Sequence, residues 1–167
     1  MIKKRLKIVI TGAILQIKRK KAPFFIKKND YKGMEKREIN TYFEDMAENL
    51  INTTPELAYI KNSQCRIIYL ISNQAKKSGS KMVHGECEKV PAKYKWAIKA
   101  DFTITLFSPN NAHMTEKQLE ILLFHELLHI GIEPADDGGE NYSIVPHDLE
   151  DFKKVIDKYG TDWSVSV

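Results

Sequence analysis

The sequence predicts a small α+β domain: a mixed sheet, a buried helix packed against it, and a second helix closing the C-terminal end. Three observations carry this expectation. The runs "CRIIYLIS" at 65–72 and "DFTITLF" at 101–107 have the length and the β-branched and aromatic content of strands. "TEKQLEILLFHELLHIG" at 115–131 has the start signal and apolar content of a core helix. "PHDLEDFKKVIDKY" at 146–159 reads as the last helix, with Gly160 to end it.

Taken in order, "EKREINTYFEDMAENLI" sets Ile39, Tyr42, Phe43, Met46 and Leu50 on one face of a first helix, and Pro55 in "NTTPELAYI" stops it. The 65–72 run shows little polar alternation and reads as a buried strand. "NQAKKSGSK" reads as a loop, and "MVHGECEKVPAKYKWAIK" as loop with a short helix from Pro91. In the 101–107 run Phe102, Ile104 and Leu106 share one face, and Thr103, Thr105 and Phe107 the other. "SPNNAHM" is a turn. Thr115 and Gln118 then form a capping box, and Gly131 stands where a helix C-terminal glycine belongs. Because Leu119, Ile121, Leu122, Leu123, Phe124, Leu127, Leu128 and Ile130 surround this helix, burial on all sides is expected. "IEPADDGGEN" reads as an acidic loop and "YSIV" as a short strand.

The 167 residues suit one domain, and the hydrophobic (43%) and charged (29%) fractions are ordinary for a globular chain. No apolar run reaches the roughly 18 residues of a membrane-spanning helix. Two cysteines, Cys65 and Cys87, make no disulfide framework and fit a reducing compartment such as the cytoplasm. The net charge of +4 is unevenly spread. Residues 1–33 carry 11 Lys or Arg against one acid, Asp30, whereas 34–167 carry 15 against 21. A basic N-terminal extension, 1–33, is therefore expected to precede a mildly acidic domain, 34–167. "MIKKRLKIVITGAIL" starts like a signal peptide, but "QIKRKK" follows in place of a cleavage site. The extension is read as a flexible tail, as residues ahead of a native start at Met34, or as a basic arm for nucleic acid or a membrane surface. Salt-dependent DNA binding, measured with and without residues 1–33, separates the last of these.

The chemistry centres on His125-Glu126-Leu127-Leu128-His129, an H-E-x-x-H pattern. Helix residues four apart differ by about 40° in direction, so both imidazoles project from one face and can grip one metal ion. Zinc suits imidazole nitrogen in a tetrahedral site and brings the pKa of a water down towards about 7. Glu126 is turned by about 100° from His125, beside such a water, where a general base belongs. The competing reading makes the two histidines core residues, each bonded to a carbonyl, with Glu126 in a salt bridge. That would need three separate buried partners.

A third ligand must come from elsewhere. His147 is the best placed, 18 residues after His129 and at the start of the expected last helix. Asp148 and Asp151 stand close enough to support a ligand imidazole. Glu133, Asp136, Asp137 and Glu140 compete for the role from the acidic loop. His84 and His113 fall in turn-like stretches and receive no role. His84 and Cys87 have a ligand-like spacing but lack a second pair.

"HELLHIG" followed by "VPHDLEDFKKVIDKYGTDW", with "ELAYIKNSQCRIIYLIS", "CEKVPAKYK" and "DFTITLFSPN" upstream, resembles the phage metallopeptidase domain family over most of residues 40–163. The resemblance implies a zincin-like metallopeptidase encoded by a phage or prophage and acting on a peptide or protein in the bacterial cytoplasm. It implies Zn²⁺ as cofactor, His125, His129 and His147 as ligands, and Glu126 as base. The alternative is an inactive zincin-like metal-binding protein that acts by binding a host or phage partner; the intact Glu126 favours the enzyme. By analogy with zincin folds, the 101–107 strand is expected to offer its edge to an extended peptide.

Overall fold

The two apolar β-runs become neighbouring strands at the centre of one sheet. The computed structural model describes residues 36–148 and 153–160. Strand β1 (Arg37–Ile39) leads into helix α1 (Thr41–Thr53), then a 3₁₀ turn (Pro55–Leu57) and the one-turn helix α2 (Ala58–Lys61). Strand β2 (Ile67–Ser72) follows, then the hairpin strands β3 (Lys76–Ser78) and β4 (Lys81–Val83), and β5 (Gly85–Lys89). A 3₁₀ turn at Ala92–Tyr94 precedes β6 (Phe102–Phe107), the one-turn helix α3 (Ser108–Asn111) and the motif helix α4 (Glu116–Leu128). Strands β7 (Ile130–Pro134) and β8 (Glu140–Ile144) and helix α5 (Lys153–Tyr159) complete the described chain.

The main sheet has the order β1-β2-β6-β5, with β2 and β6 parallel and the outer pairs antiparallel. This is the expected mixed sheet in an α+β domain. Strand β6 is nevertheless internal, held by β2 on one side and β5 on the other, so the expectation that 101–107 offers a free edge is overturned. Both of its faces are covered: Phe102, Ile104 and Leu106 are buried on one, and Thr105 and Phe107 on the other. The edge strand on that side is β5.

Several expected boundaries shift for local reasons. Ile39 lies in β1 and is 69% exposed, so it is not part of the first helix's face. The helix begins after Asn40, whose side chain accepts from the Phe43 amide (3.0 Å), and it buries Phe43, Ala47 and Leu50. The expected loop "NQAKKSGSK" gives way to a hairpin over 76–83, turning at Gly79 with φ +59°. The acidic loop is also a hairpin, with β7 paired to β8 and Gly138 at φ +81° in the turn. "SPNNAHM" contains a helical turn, and its buried Asn110 donates to the carbonyls of Lys76 and Val83, the paired ends of the β3–β4 hairpin. Residues 145–147 are not helical, so the last helix does not open at Pro146; residues 149–152 lie outside the described residues, as does the basic extension.

Gly131 is no left-handed cap. It lies in β7, where a Cβ would run into the Ser143 side chain of β8. Helix α4 instead closes on His129, after starting with the expected capping box of Thr115 and Gln118. Nor is α4 buried all round. Leu119, Leu123 and Leu127 face the core with Glu126, while Ile121 (56%) and Leu128 (40%) are exposed.

Buried Asp101 pins the starts of β2 and β6 together. Its carboxylate accepts from the Arg66 amide (3.1 Å), Arg66 Nε (3.3 Å) and Lys95 Nζ (2.9 Å), while its own amide donates to the Arg66 carbonyl (2.8 Å). Burial pushes the carboxyl up, but the bonds from Lys95 and Arg66 outweigh it and hold the pKa below its ordinary 3.8. A carboxyl lowered by folding stabilises above its unfolded pKa, and that stability is lost as pH falls through the folded value. Asp101→Ala is expected to cost about 2 kcal/mol in denaturant melts at pH 7, a magnitude suited to losing bonds to charged but half-exposed partners. The gap from wild type should narrow as pH falls below 3.8; a gap constant with pH would contradict this account.

Candidate metal centre

Helix α4 carries His125 and Glu126, and His129 caps its end with φ −72° and ψ −8°, still helical. The one-turn spacing of the two histidines therefore survives at the helix terminus. Chain reversal begins at once: Ile130 opens β7, the β7–β8 hairpin returns, and Val145 arrives beside His129. The Val145 amide donates to the His129 carbonyl (2.9 Å), and His129 Nδ1 lies 2.7 Å from the Val145 carbonyl oxygen. A carbonyl only accepts, so Nδ1 carries the proton and Nε2 presents a lone pair.

His147 follows two residues later. Its Nε2 lies 3.0 Å from His125 Nε2, and His129 Nε2 lies 3.3 Å from the same atom. One ring nitrogen from each of the three is within 4.8 Å of the others. His129 cannot donate to His125, because a neutral ring has one N–H and His129 has already given its own to the Val145 carbonyl. Three converging imidazole nitrogens fit the preferences of zinc, with room for one further ligand. Burial and the neighbouring His129 and His147 lower the pKa of His125, which favours its neutral, ligating form.

Glu126 turns inward and is only 4% exposed. Its carboxylate packs against Gly85, where any Cβ would overlap it, and accepts from the Cys87 amide. The bonds just beyond the two ends of β5, from the Phe107 amide to the His84 carbonyl (3.1 Å) and from the Val90 amide to the Asp101 carbonyl (2.8 Å), set the register in which its even-numbered residues bond to β6. Cys87 therefore points its amide outward from the sheet, and Glu126 takes it. Burial, then the nearby Glu86, raises the Glu126 carboxyl to about 7, against the lowering effect of the Cys87 amide.

The competing ligands lie elsewhere. Glu140 accepts from the Gln64 amide (3.0 Å) and the Tyr142 hydroxyl (2.7 Å), and Asp137 from the Gly139 amide (3.0 Å). Glu133 and Asp136 stay in the same hairpin, and among the described residues only the three histidines form a cluster able to hold a metal. The partner that orients His129 is the Val145 carbonyl rather than Asp148; Asp151 lies outside the described residues.

His84 is the residue missed in the sequence. It lines, with His125, Glu126 and His147, a cleft of about 520 Å³. Fully buried Asn111 donates through Nδ2 to the His84 carbonyl (2.8 Å) and meets His84 Nδ1 with Oδ1 (2.8 Å). The amide orientation is set by the carbonyl, so His84 also carries its proton on Nδ1. A "PNN" turn gave no hint of this, because the signal is a contact across 27 residues.

The fold and the cluster define a small α+β domain with a candidate metal centre. The chain belongs to the family described as Putative phage metallopeptidase, whose model matches residues 35–167. No curated protein and no solved structure matches the chain. Among the described residues no helix is long and apolar enough to cross a membrane.

Gly85→Ala should leave the sheet intact but push the Glu126 carboxylate off the Cys87 amide. Hydrogen exchange at that amide is expected to speed up by about tenfold or more, the scale of a lost bond to a charged acceptor. Unchanged exchange would mean that Glu126 does not depend on the glycine.

Proposed function

We propose that the protein is a zinc-dependent metallopeptidase. The observation that carries this reading is the approach of His147 Nε2 to 3.0 Å from His125 Nε2, which adds a third imidazole to the helix pair. Membership of the phage metallopeptidase family supports it. His125, His129 and His147 would hold Zn²⁺ through their converging nitrogens. Bound zinc supplies a Lewis acid, which lowers the pKa of a water towards about 7 and polarises a carbonyl. Glu126 acts as general base: it takes a proton from the attacking water as the new C–O bond forms, then passes it to the leaving amine as the C–N bond breaks. Gly85 and the Cys87 amide hold that carboxylate in place. The Val145 carbonyl keeps His129 in the ligating tautomer. The substrate is a peptide or protein, taken into the cleft that β4, β5 and α4 line.

Metal content and hydrolysis of a peptide library, measured for wild type and Glu126→Gln, test the reading. Roughly one zinc per chain is expected in both, as for a mononuclear site. Turnover should fall by about 10²-fold or more in the variant, the scale of general-base loss. Equal turnover in both would reject the mechanism. His147→Ala is expected to weaken zinc binding by about 100-fold, one ligand's share of a typical structural-zinc affinity. Retention of wild-type affinity would remove His147 from the site.

A further inference from the structure

The exposed apolar surface beside the histidine cluster has no partner within the described domain. Ile121 and Leu122 stand one helical turn before His125 and Glu126, on the side of α4 that faces the cleft. The core-facing side of that helix is already filled by Leu119, Leu123 and Leu127. Ile121 is nonetheless 56% exposed, and Met82, across the cleft in β4, is 49% exposed. Val83 from β4 and Met114 from the turn before α4 complete an apolar wall that ends at His125, Glu126 and His147. The walls come from three separate elements, and the residue that fixes β4 is the buried Asn110, which ties the ends of its hairpin.

Resting on the peptidase reading above, we propose that this wall is a side-chain subsite: the substrate carries a large apolar residue, such as Leu, Met or Phe, next to the bond that is cut. The cleft's volume of about 520 Å³ accommodates one such side chain and the adjoining backbone. Continuity with the histidine cluster fixes where that residue sits along the substrate, because the same cleft holds both. Two methionines give the wall an adaptable surface that accepts several apolar shapes. Among the described residues lining the cleft there is no Lys or Arg, so an acidic side chain lying on the apolar wall, away from the histidines, would lose its water without gaining a cationic side chain. The buried carboxylate of Glu126 in the same cleft adds to that discrimination.

The test uses the full zinc-loaded chain and a peptide mixture whose cleavage sites are read by mass spectrometry. Leu, Met or Phe should be enriched by about tenfold or more over Ala or Asp at one position flanking the cut, the discrimination a hydrophobic pocket provides. Ile121→Ser and Met82→Ser, both at exposed positions, should keep the zinc content, raise KM for the favoured peptides and flatten the preference. Ile121→Lys should shift the preference towards an acidic residue. Cleavage with no side-chain preference at either flank, or a preference unchanged in all three variants, overturns the proposal. Binding to zinc-loaded Glu126→Gln, followed by fluorescence anisotropy, separates the subsite from the chemistry. A Leu peptide should bind about tenfold more tightly than its Asp counterpart even if no peptide is ever cut by wild type, which would reject the peptidase alone; equal binding rejects the subsite.

Discussion

Two hydrogen bonds between His129 and Val145 hold the candidate centre together. One runs from the Val145 amide to the His129 carbonyl, the other from His129 Nδ1–H to the Val145 carbonyl. The pair docks a returning strand against the end of the helix that carries the motif. It also selects the imidazole tautomer whose lone pair faces inward and delivers His147 two residues later. An eighteen-residue separation would be costly to close as free loop. The β7–β8 hairpin removes most of that freedom beforehand, because its five paired positions are ordered by their own ladder. The packing of Gly131 against Ser143 lets the two strands meet at the point where the helix ends. Zinc binding on such a scaffold would find its third ligand already delivered.

The sheet is fitted to the helix by a second contact. Glu126 is buried against Gly85 and bonded to the Cys87 amide, so the carboxylate belongs as much to the edge of the sheet as to α4. The register of β5 on β6 decides which of its amides point outward. That register therefore decides where the carboxylate rests. Asn110 and Asn111 act in the same sense from behind. One ties the β3–β4 hairpin, and the other holds His84 at the mouth of the cleft. Rigid support from buried polar groups is what a site requires if its geometry is to be set before a ligand arrives.

Local signals made the helix pair legible, and long-range ones hid its surroundings. His125, Glu126 and His129 stand out because a single helical turn relates them, and the Thr115–Gln118 box marks the helix start over four residues. His147 lies beside them in the structure, within the same group of ring nitrogens. The two central strands also declared themselves through their composition. What composition does not encode is pairing order: 101–107 reads equally well as an edge or a centre, and only the arrival of β5 from 85–89 makes it central. Most of the sequence in the hairpins at 76–83 and 130–144 reads as loop, because their strands are short and largely polar or acidic; only "YSIV" reads as a strand, and its Tyr142–Ile144 lie in β8. Their glycines at 79 and 138 were the available clue. The all-round apolarity of α4 suggested full burial, whereas the surplus on Ile121 lines the cleft instead. Asn111's hold on His84 had no sequence signature at all.

The contact between Glu126 and the Cys87 amide carries a consequence for how this position evolves. An unpaired strand edge invites another chain to add to the sheet, and proteins protect such edges by covering them. Here a carboxylate from the neighbouring helix covers the outward amide of β5. If the proposed mechanism holds, position 126 would answer to two selective pressures, turnover and resistance to self-association. A family member that had lost catalysis would still be under pressure to keep a hydrogen-bond acceptor there. Retention of the glutamate alone is therefore a weaker sign of activity than retention of the glutamate together with all three imidazoles.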